Sequence, residues 1–143
     1  MKILLIIFVI LFTVSAKATV EPHKCVYIGS AIGYDLRQQL SENKGFDNEN
    51  VDLRDSHIEL LENVPVTLTL AKWLARKDIV KFTHLDYIER LKDYTEHNAR
   101  NLIMKYIYRN KQGKVNIYIV SAIVNDNQCW LSFNGYLTVS REF

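Results

Sequence analysis

The sequence predicts an α+β fold, in which amino-terminal helices pack on one side of a carboxy-terminal antiparallel β-meander of three or more strands. Two observations lead to this prediction. The carboxy-terminal part alternates apolar, β-branched segments with short polar turns. A stripe of apolar residues at helical spacing precedes those segments. A third observation is that one cysteine precedes the helical part and the other lies in the carboxy-terminal part, which indicates how the two parts are tied together.

Three strands are expected, over residues 102–108, 115–124 and 129–139. The segments between them contain the Asn, Gly and other polar residues that form turns. The middle strand is apolar on nearly both alternations, which is typical of a strand covered on both faces. In the last strand one parity is expected to face the core, and the other, with Trp130 and Tyr136, the opposite side. The predicted inward-facing residues are Leu131, Phe133, Leu137 and Val139.

A helix is expected over residues 83–94, because apolar side chains recur there at helical spacing and Thr83 with Asp86 resembles a capping box. A second helix is expected around residues 66–74, with Pro65 in its first turn. The alternation of Thr67, Leu68 and Thr69 favours a strand at that place instead.

The remaining segments carry weaker patterns. A short helix is expected over residues 34–40, and residues 45–50 are polar enough to form an exposed loop. Residues 51–61 fit either a strand or a helix. Their conformation is left open by the sequence.

The amino terminus has the pattern of a signal peptide. Residues 3–14 are apolar and follow Lys2, but they are shorter than the roughly 20 residues that span a bilayer. Ala16 and Ala18 supply the small side chains of a cleavage site. We therefore expect residues 1–18 to be removed after Ala18, leaving a single α+β domain over residues 19–143 without a membrane anchor. An uncleaved anchor is the alternative.

Export changes how the two cysteines are interpreted. In an oxidising compartment an even number of cysteines favours a disulfide, and here only Cys25 with Cys129 can form one. Metal binding by His23 and Cys25 is the alternative, but two ligands do not make a zinc site. A disulfide and no metal are therefore predicted.

The net charge of +2 comes from Lys2 and Lys17, so the predicted mature chain is neutral, which removes the electrostatic argument for nucleic-acid binding. The charge is nevertheless uneven, with an excess of acids over residues 42–62 and only bases over residues 100–114. These stretches are either two solvated faces that partly neutralise each other or a surface that steers a charged protein partner.

No motif of a known catalytic type occurs in the sequence. The four histidines lack the spacing of metal ligands, and the five glycines form no phosphate-binding loop. The carboxylates over residues 47–55 could suggest glycoside hydrolysis, but the stretch offers only Phe46 for an aromatic cleft, which favours a solvated loop. We therefore expect neither an enzyme nor a cofactor.

Aromatic residues concentrate on the predicted sheet. They are expected to lie in the core beneath a second layer, or alternatively to form a binding surface. The residues are Tyr106, Tyr108, Tyr118, Trp130, Phe133 and Tyr136.

A small exported domain with Cys25, Cys129 and the tyrosine-rich stretch "NIYIVSAIVNDNQCWLSFNGYL" resembles the periplasmic immunity proteins of bacteriocins. The colicin M type keeps a membrane anchor, whereas Ala16 and Ala18 favour release, as in the pesticin type. The resemblance implies a periplasmic protein that binds and blocks a cell-wall-targeting, muramidase-like toxin. It points to no oligomeric state.

Two charged groups are the expected contacts with such a toxin. The first is the basic turn of Arg109, Lys111 and Lys114, and the second comprises Asp47, Glu49 and Asp52. The alternative function is a periplasmic small-ligand module with a pocket lined by Tyr106, Tyr118 and Trp130.

Overall fold

The structure, a computed structural model, describes residues 21–42 and 45–143. The predicted signal peptide, residues 1–18, lies outside the described residues. Two helical elements come first: a 3₁₀ turn, Pro22–Cys25, and helix α1, Ala31–Glu42. A second 3₁₀ turn, Asn48–Asn50, leads into the first strand.

The rest of the chain alternates between sheet and helix. It comprises β1 (Val51–Pro65), α2 (Leu68–Lys81), α3 (Tyr87–Thr95), β2 (Arg100–Asn110), β3 (Val115–Asn125) and β4 (Gln128–Ser140). The strands form one antiparallel sheet in the order β1-β2-β3-β4. The predicted α+β class and the three-strand meander are confirmed, and the ambiguous residues 51–61 belong to a fourth strand.

Asparagine side chains shape both turns of the meander. Asn110 Oδ1 accepts hydrogen bonds from the backbone N–H groups of Gln112 and Lys114, at 3.0 and 2.9 Å. Asn125 Oδ1 accepts two in the same way at the start of β4. Such side chains replace backbone partners in tight turns, so local sequence suffices to place these connections.

Two predicted helix starts are wrong by a few residues. Asp86, rather than Thr83, caps α3, because its carboxylate accepts hydrogen bonds from the backbone N–H groups of Ile88 and Glu89. Pro65 ends β1 instead of opening α2, whose N-cap is Thr67. The helix prediction for this segment is confirmed over the strand, because the Thr67 hydroxyl satisfies one of the backbone donors at the helix start.

The helices cover both faces of the sheet, whereas the sequence led us to expect them on one face only. Helix α1 packs through Ile32, Leu36 and Leu40 on one face, against the alternate residues of β2 and β3 that include Tyr106 and Tyr118. Helices α2 and α3 form a second cluster around Ile123, Leu131 and Ala99. Because Ile123 alternates with Ala122 and Val124 of the first cluster, this second cluster lies on the opposite face.

A bulge in β4 reverses the predicted parity of its second half. Ser121 pairs with Gly135 and the next residue of β3, Ala122, pairs with Phe133, so Asn134 is an extra residue. Beyond it Tyr136 joins Phe133 against the α1 cluster, whereas Leu137 and Val139 are 66% and 56% exposed. The prediction that these two aliphatic residues face the core is therefore wrong.

Candidate functional site

The disulfide joins the start of the described chain to the last strand. Cys25 and Cys129 are bonded, with their Cα atoms 5.1 Å apart. Cys25 is fully buried in the core cluster that α1 forms with the sheet. The predicted pairing is confirmed. The bond fixes the segment that leads into α1 to the edge strand β4.

The six predicted contact residues lie at one end of the sheet. Asp52 stands opposite Arg109 in the pairing of β1 with β2. The backbone N–H of Lys111 donates to the carbonyl oxygen of Asn50, at 3.1 Å, so the basic turn lies against the 3₁₀ turn that Asp47 caps. We call this surface the charged corner and define it by Asp47, Glu49, Asp52, Arg109, Lys111 and Lys114.

Hydrogen bonds to the backbone brace the charged corner. Ser56, which is buried where β1 departs from regular pairing, donates to the carbonyl oxygen of Asp52 at 2.6 Å and accepts from the N–H of Arg109 at 2.9 Å. The buried Asn110 braces the turn that carries Lys111 and Lys114. The strand and turn that carry Asp52, Arg109, Lys111 and Lys114 are therefore hydrogen-bonded to buried side chains.

The charges of the corner are not cancelled within it. Asp52 accepts from the backbone N–H of Arg54 and lies 3.5 Å from its Nε atom, and these interactions lower the pKa of Asp52. Arg109 donates to the carbonyl oxygen of Gly113, at 3.0 Å. Among the residues that the structure describes, no ion pair joins an acid of the corner to one of its bases.

Farther along the same strands, the acidic and basic stretches do neutralise each other. Lys105 Nζ lies 3.1 Å from Glu59 Oε2 across the pairing of β1 with β2. The interpretation of mutual neutralisation therefore holds for this pair of residues. At the corner Asp52 is paired with Arg54, and the steering of a charged partner by this surface stays a prediction.

A separate cleft of about 390 Å³ lies between α1, the end of α2, α3 and the beginning of β4. Trp130 lines it and donates from Nε1 to Asp35 Oδ2 of α1, at 2.6 Å. The residues by which we define the cleft are Asp35, Lys77, Asp78, Lys81, Phe82 and Trp130. Such a volume is within the range of small-molecule sites.

One wall of the cleft contains a buried ionic network. Asp78 Oδ2 accepts from Arg90 and from the hydroxyl of Tyr94, and Arg90 also donates to Asp93 and to the carbonyl oxygen of Leu131. The network fastens α2 to α3 and to β4. Burial raises the pKa of Tyr94 to about 12, so its hydroxyl stays protonated and acts as a donor at neutral pH.

This network was not predicted, although the sequence carries one signal of it. Ala71, Leu74, Ala75 and Asp78 share one face of α2, so a carboxylate continues an otherwise apolar stripe. A buried carboxylate requires a partner of opposite charge. Arg90 supplies it from the next helix.

The predicted pocket of Tyr106, Tyr118 and Trp130 does not form. Tyr106 and Tyr118 are at most 1% exposed and belong to the core beneath α1, together with Tyr108. The expectation that these tyrosines lie in the core is confirmed, and burial raises the pKa of Tyr106 to about 12. Trp130 alone of the three lines a cleft, and that cleft lies elsewhere.

The described residues contain no group of three or more His, Cys, Asp or Glu side chains that could hold a metal ion. None of the helices in residues 21–42 and 45–143 is long and apolar enough to cross a membrane.

No protein-family model, no curated protein and no solved structure matches this chain.

Proposed function

We propose that this protein is a periplasmic immunity protein that binds and neutralises a cell-wall-targeting, muramidase-like bacteriocin. The observation that supports the proposal best is the charged corner. Its six side chains, which the sequence singles out as partner contacts, come together on one fixed piece of backbone. Complementary charge of this kind steers a protein partner and sets its orientation.

Two further features fit this function. A surface whose backbone is already held loses little conformational freedom on binding, so more of the interaction energy remains as affinity. The disulfide between Cys25 and Cys129 supports a fold that persists outside the reducing cytosol. Inhibition by surface complementarity requires no catalytic group.

Protection from a toxin tests the proposal directly. Cells that express the full chain should survive pesticin at concentrations that kill cells carrying an empty vector. Replacing Arg109 and Lys111 together by alanine should reduce protection by about tenfold or more, because each charge contributes on the order of 1 kcal/mol to an electrostatically matched interface. Replacing the exposed Lys72 and Arg76 of α2 is the matched control and should leave protection intact.

Two results would contradict the proposal. The first is that pesticin and colicin M kill cells that express the protein as readily as cells with an empty vector, which would contradict the proposed class of toxin. The second is full protection by the Arg109 and Lys111 double variant, which would remove the charged corner as the contact surface.

Export is tested separately by mass spectrometry of the protein from the periplasmic fraction. We expect a chain that begins at Thr19 and carries a closed disulfide. An intact leader together with two free thiols would contradict the periplasmic assignment.

The cleft at Trp130 favours a second candidate, a periplasmic small-ligand module. A ligand that binds only the folded state stabilises it, and the melting temperature rises as the ligand concentration exceeds the dissociation constant. A small-ligand module should therefore be stabilised by a small molecule, whereas an immunity protein without a second site should respond only to its toxin.

A further inference from the structure

We propose that the cleft between α1, α2 and β4 binds a small aromatic carboxylate. The inference goes beyond toxin binding, because the cleft shares no residue with the charged corner. It rests on the size of the cleft, on its aromatic walls and on the arrangement of its charges.

The walls suit a flat apolar group. Phe82 and Trp130 line the cleft and remain 39% and 44% exposed, so their rings are accessible. Leu85, Leu131 and Phe133 add apolar surface. A bicyclic aromatic group fits a volume of about 390 Å³ and would stack on such rings with centroids a few ångströms apart.

The charges of the cleft select an anion. Of its two carboxylates, Asp78 is paired with Arg90, whereas Asp35 accepts a hydrogen bond from the neutral indole of Trp130 and is one acid against the two lysines of the cleft. Lys77 and Lys81 stand one helical turn apart on α2 and both line the cleft. Within the part of the chain that the structure describes, neither lysine lies within 4.0 Å of a carboxylate.

An aromatic contact keeps the ammonium group of Lys81 near the cleft, because Phe82 lines the cleft, whereas Trp73, the aromatic contact of Lys77, does not. Lys77 Nζ lies 5.4 Å from the centroid of the Trp73 ring, and Lys81 Nζ lies 5.1 Å from that of Phe82. A carboxylate on a ring stacked against Phe82 would therefore be within reach of a positive charge that the protein itself does not neutralise. A cationic ligand would meet repulsion at the same place.

The affinities of a matched ligand pair test this inference. Naphthalene-carboxylate and naphthalene-carboxamide have nearly the same shape and differ in charge. Amide chemical-shift mapping of the full domain should place the carboxylate in the cleft. Its dissociation constant should be about tenfold lower than that of the carboxamide, which corresponds to about 1.4 kcal/mol.

Variants separate the cleft lysines from general surface charge. Replacing Lys77 and Lys81 together by glutamine should weaken carboxylate binding about tenfold and abolish the preference over the carboxamide. The control, Lys72→Gln on the same helix, should change neither affinity. Because Lys72 and Lys81 are exposed and Lys77 is only half-buried, with none of the three in an ion pair among the described residues, these variants should melt within a few degrees of the parent.

Several outcomes would overturn the inference. They are the absence of carboxylate binding at about 5 mM, equal affinities for the two ligands, shifts confined to residues outside the cleft, and an unchanged affinity in the Lys77 and Lys81 double variant. None of them bears on protection from a toxin, so the two proposals fail independently.

Discussion

Removing the disulfide should cost this protein much of its stability. We consider the replacement of both Cys25 and Cys129 by alanine, so that no free thiol is left in the core. Cys25 is fully buried, but the substitution removes only one sulfur atom from each side chain. The main effect is therefore expected on the unfolded chain, which the bond restricts.

The sequence separation sets the expected magnitude. The two cysteines are 104 positions apart, and in the chain-entropy model closing a loop of that length stabilises the folded state by about 5 kcal/mol. Ordinary domains have a free energy of unfolding of about 5 to 15 kcal/mol. With a urea m-value of about 2 kcal/mol/M, the unfolding midpoint should fall by about 2.5 M.

Urea unfolding monitored by tryptophan fluorescence measures this change. The parent protein under oxidising conditions, the parent with a reductant and the double alanine variant should be compared. The reduced parent and the variant should unfold at nearly the same midpoint, because both lack the same constraint. The reductant should leave the variant unaffected, which controls for effects of the reagent itself.

A loss of less than about 1 kcal/mol would contradict this prediction. It would mean that contacts in the unfolded chain already restrict the loop, or that the bond does not form. A large loss in the variant that is absent in the reduced parent would assign the effect to the alanine side chains instead.

Three further predictions concern the packing of the domain. Asp78→Asn should lower the free energy of unfolding by about 3 to 5 kcal/mol in urea titrations, because it leaves the mostly buried Arg90 without its main counter-charge; a loss under about 1 kcal/mol would contradict this. Since burial raises the pKa of Tyr106 from 10.0 to about 12, the folded state keeps a proton that the unfolded chain loses. The contribution of Tyr106 to the free energy of unfolding should therefore be fully present below pH 10 and be lost as the pH rises toward 12. A urea midpoint that is constant over this range would contradict the prediction. Gly33→Ala should lower the melting temperature, although alanine normally favours a helix, because its Cβ would lie 2.6 Å from the carbonyl oxygen of Ile28; an unchanged or higher melting temperature would show that the backbone gives way.

The six corner residues show what sequence could and could not predict about the candidate site. Their charges follow from residue type, and the exposure of Asp47, Glu49, Lys111 and Lys114 could be predicted from turn composition, whereas Asp52 and Arg109 lie in strands and are half-buried. That Asp52 stands opposite Arg109 could not, because it depends on the register between two strands separated by α2 and α3. The cleft was missed for the same reason, since α1, α2, α3 and β4 all contribute to it.

By itself the sequence determined the α+β class, the meander of the last three strands and the pairing of Cys25 with Cys129. These features depend on contacts between near neighbours in the chain, or on the fact that only one cysteine pair exists. Tertiary structure alone decided that 51–61 is a strand, that the helices cover both faces and that Asn134 reverses the parity of β4. Each of these depends on the free energy of packing between residues far apart in the chain, which outweighs the weak local preferences of such segments.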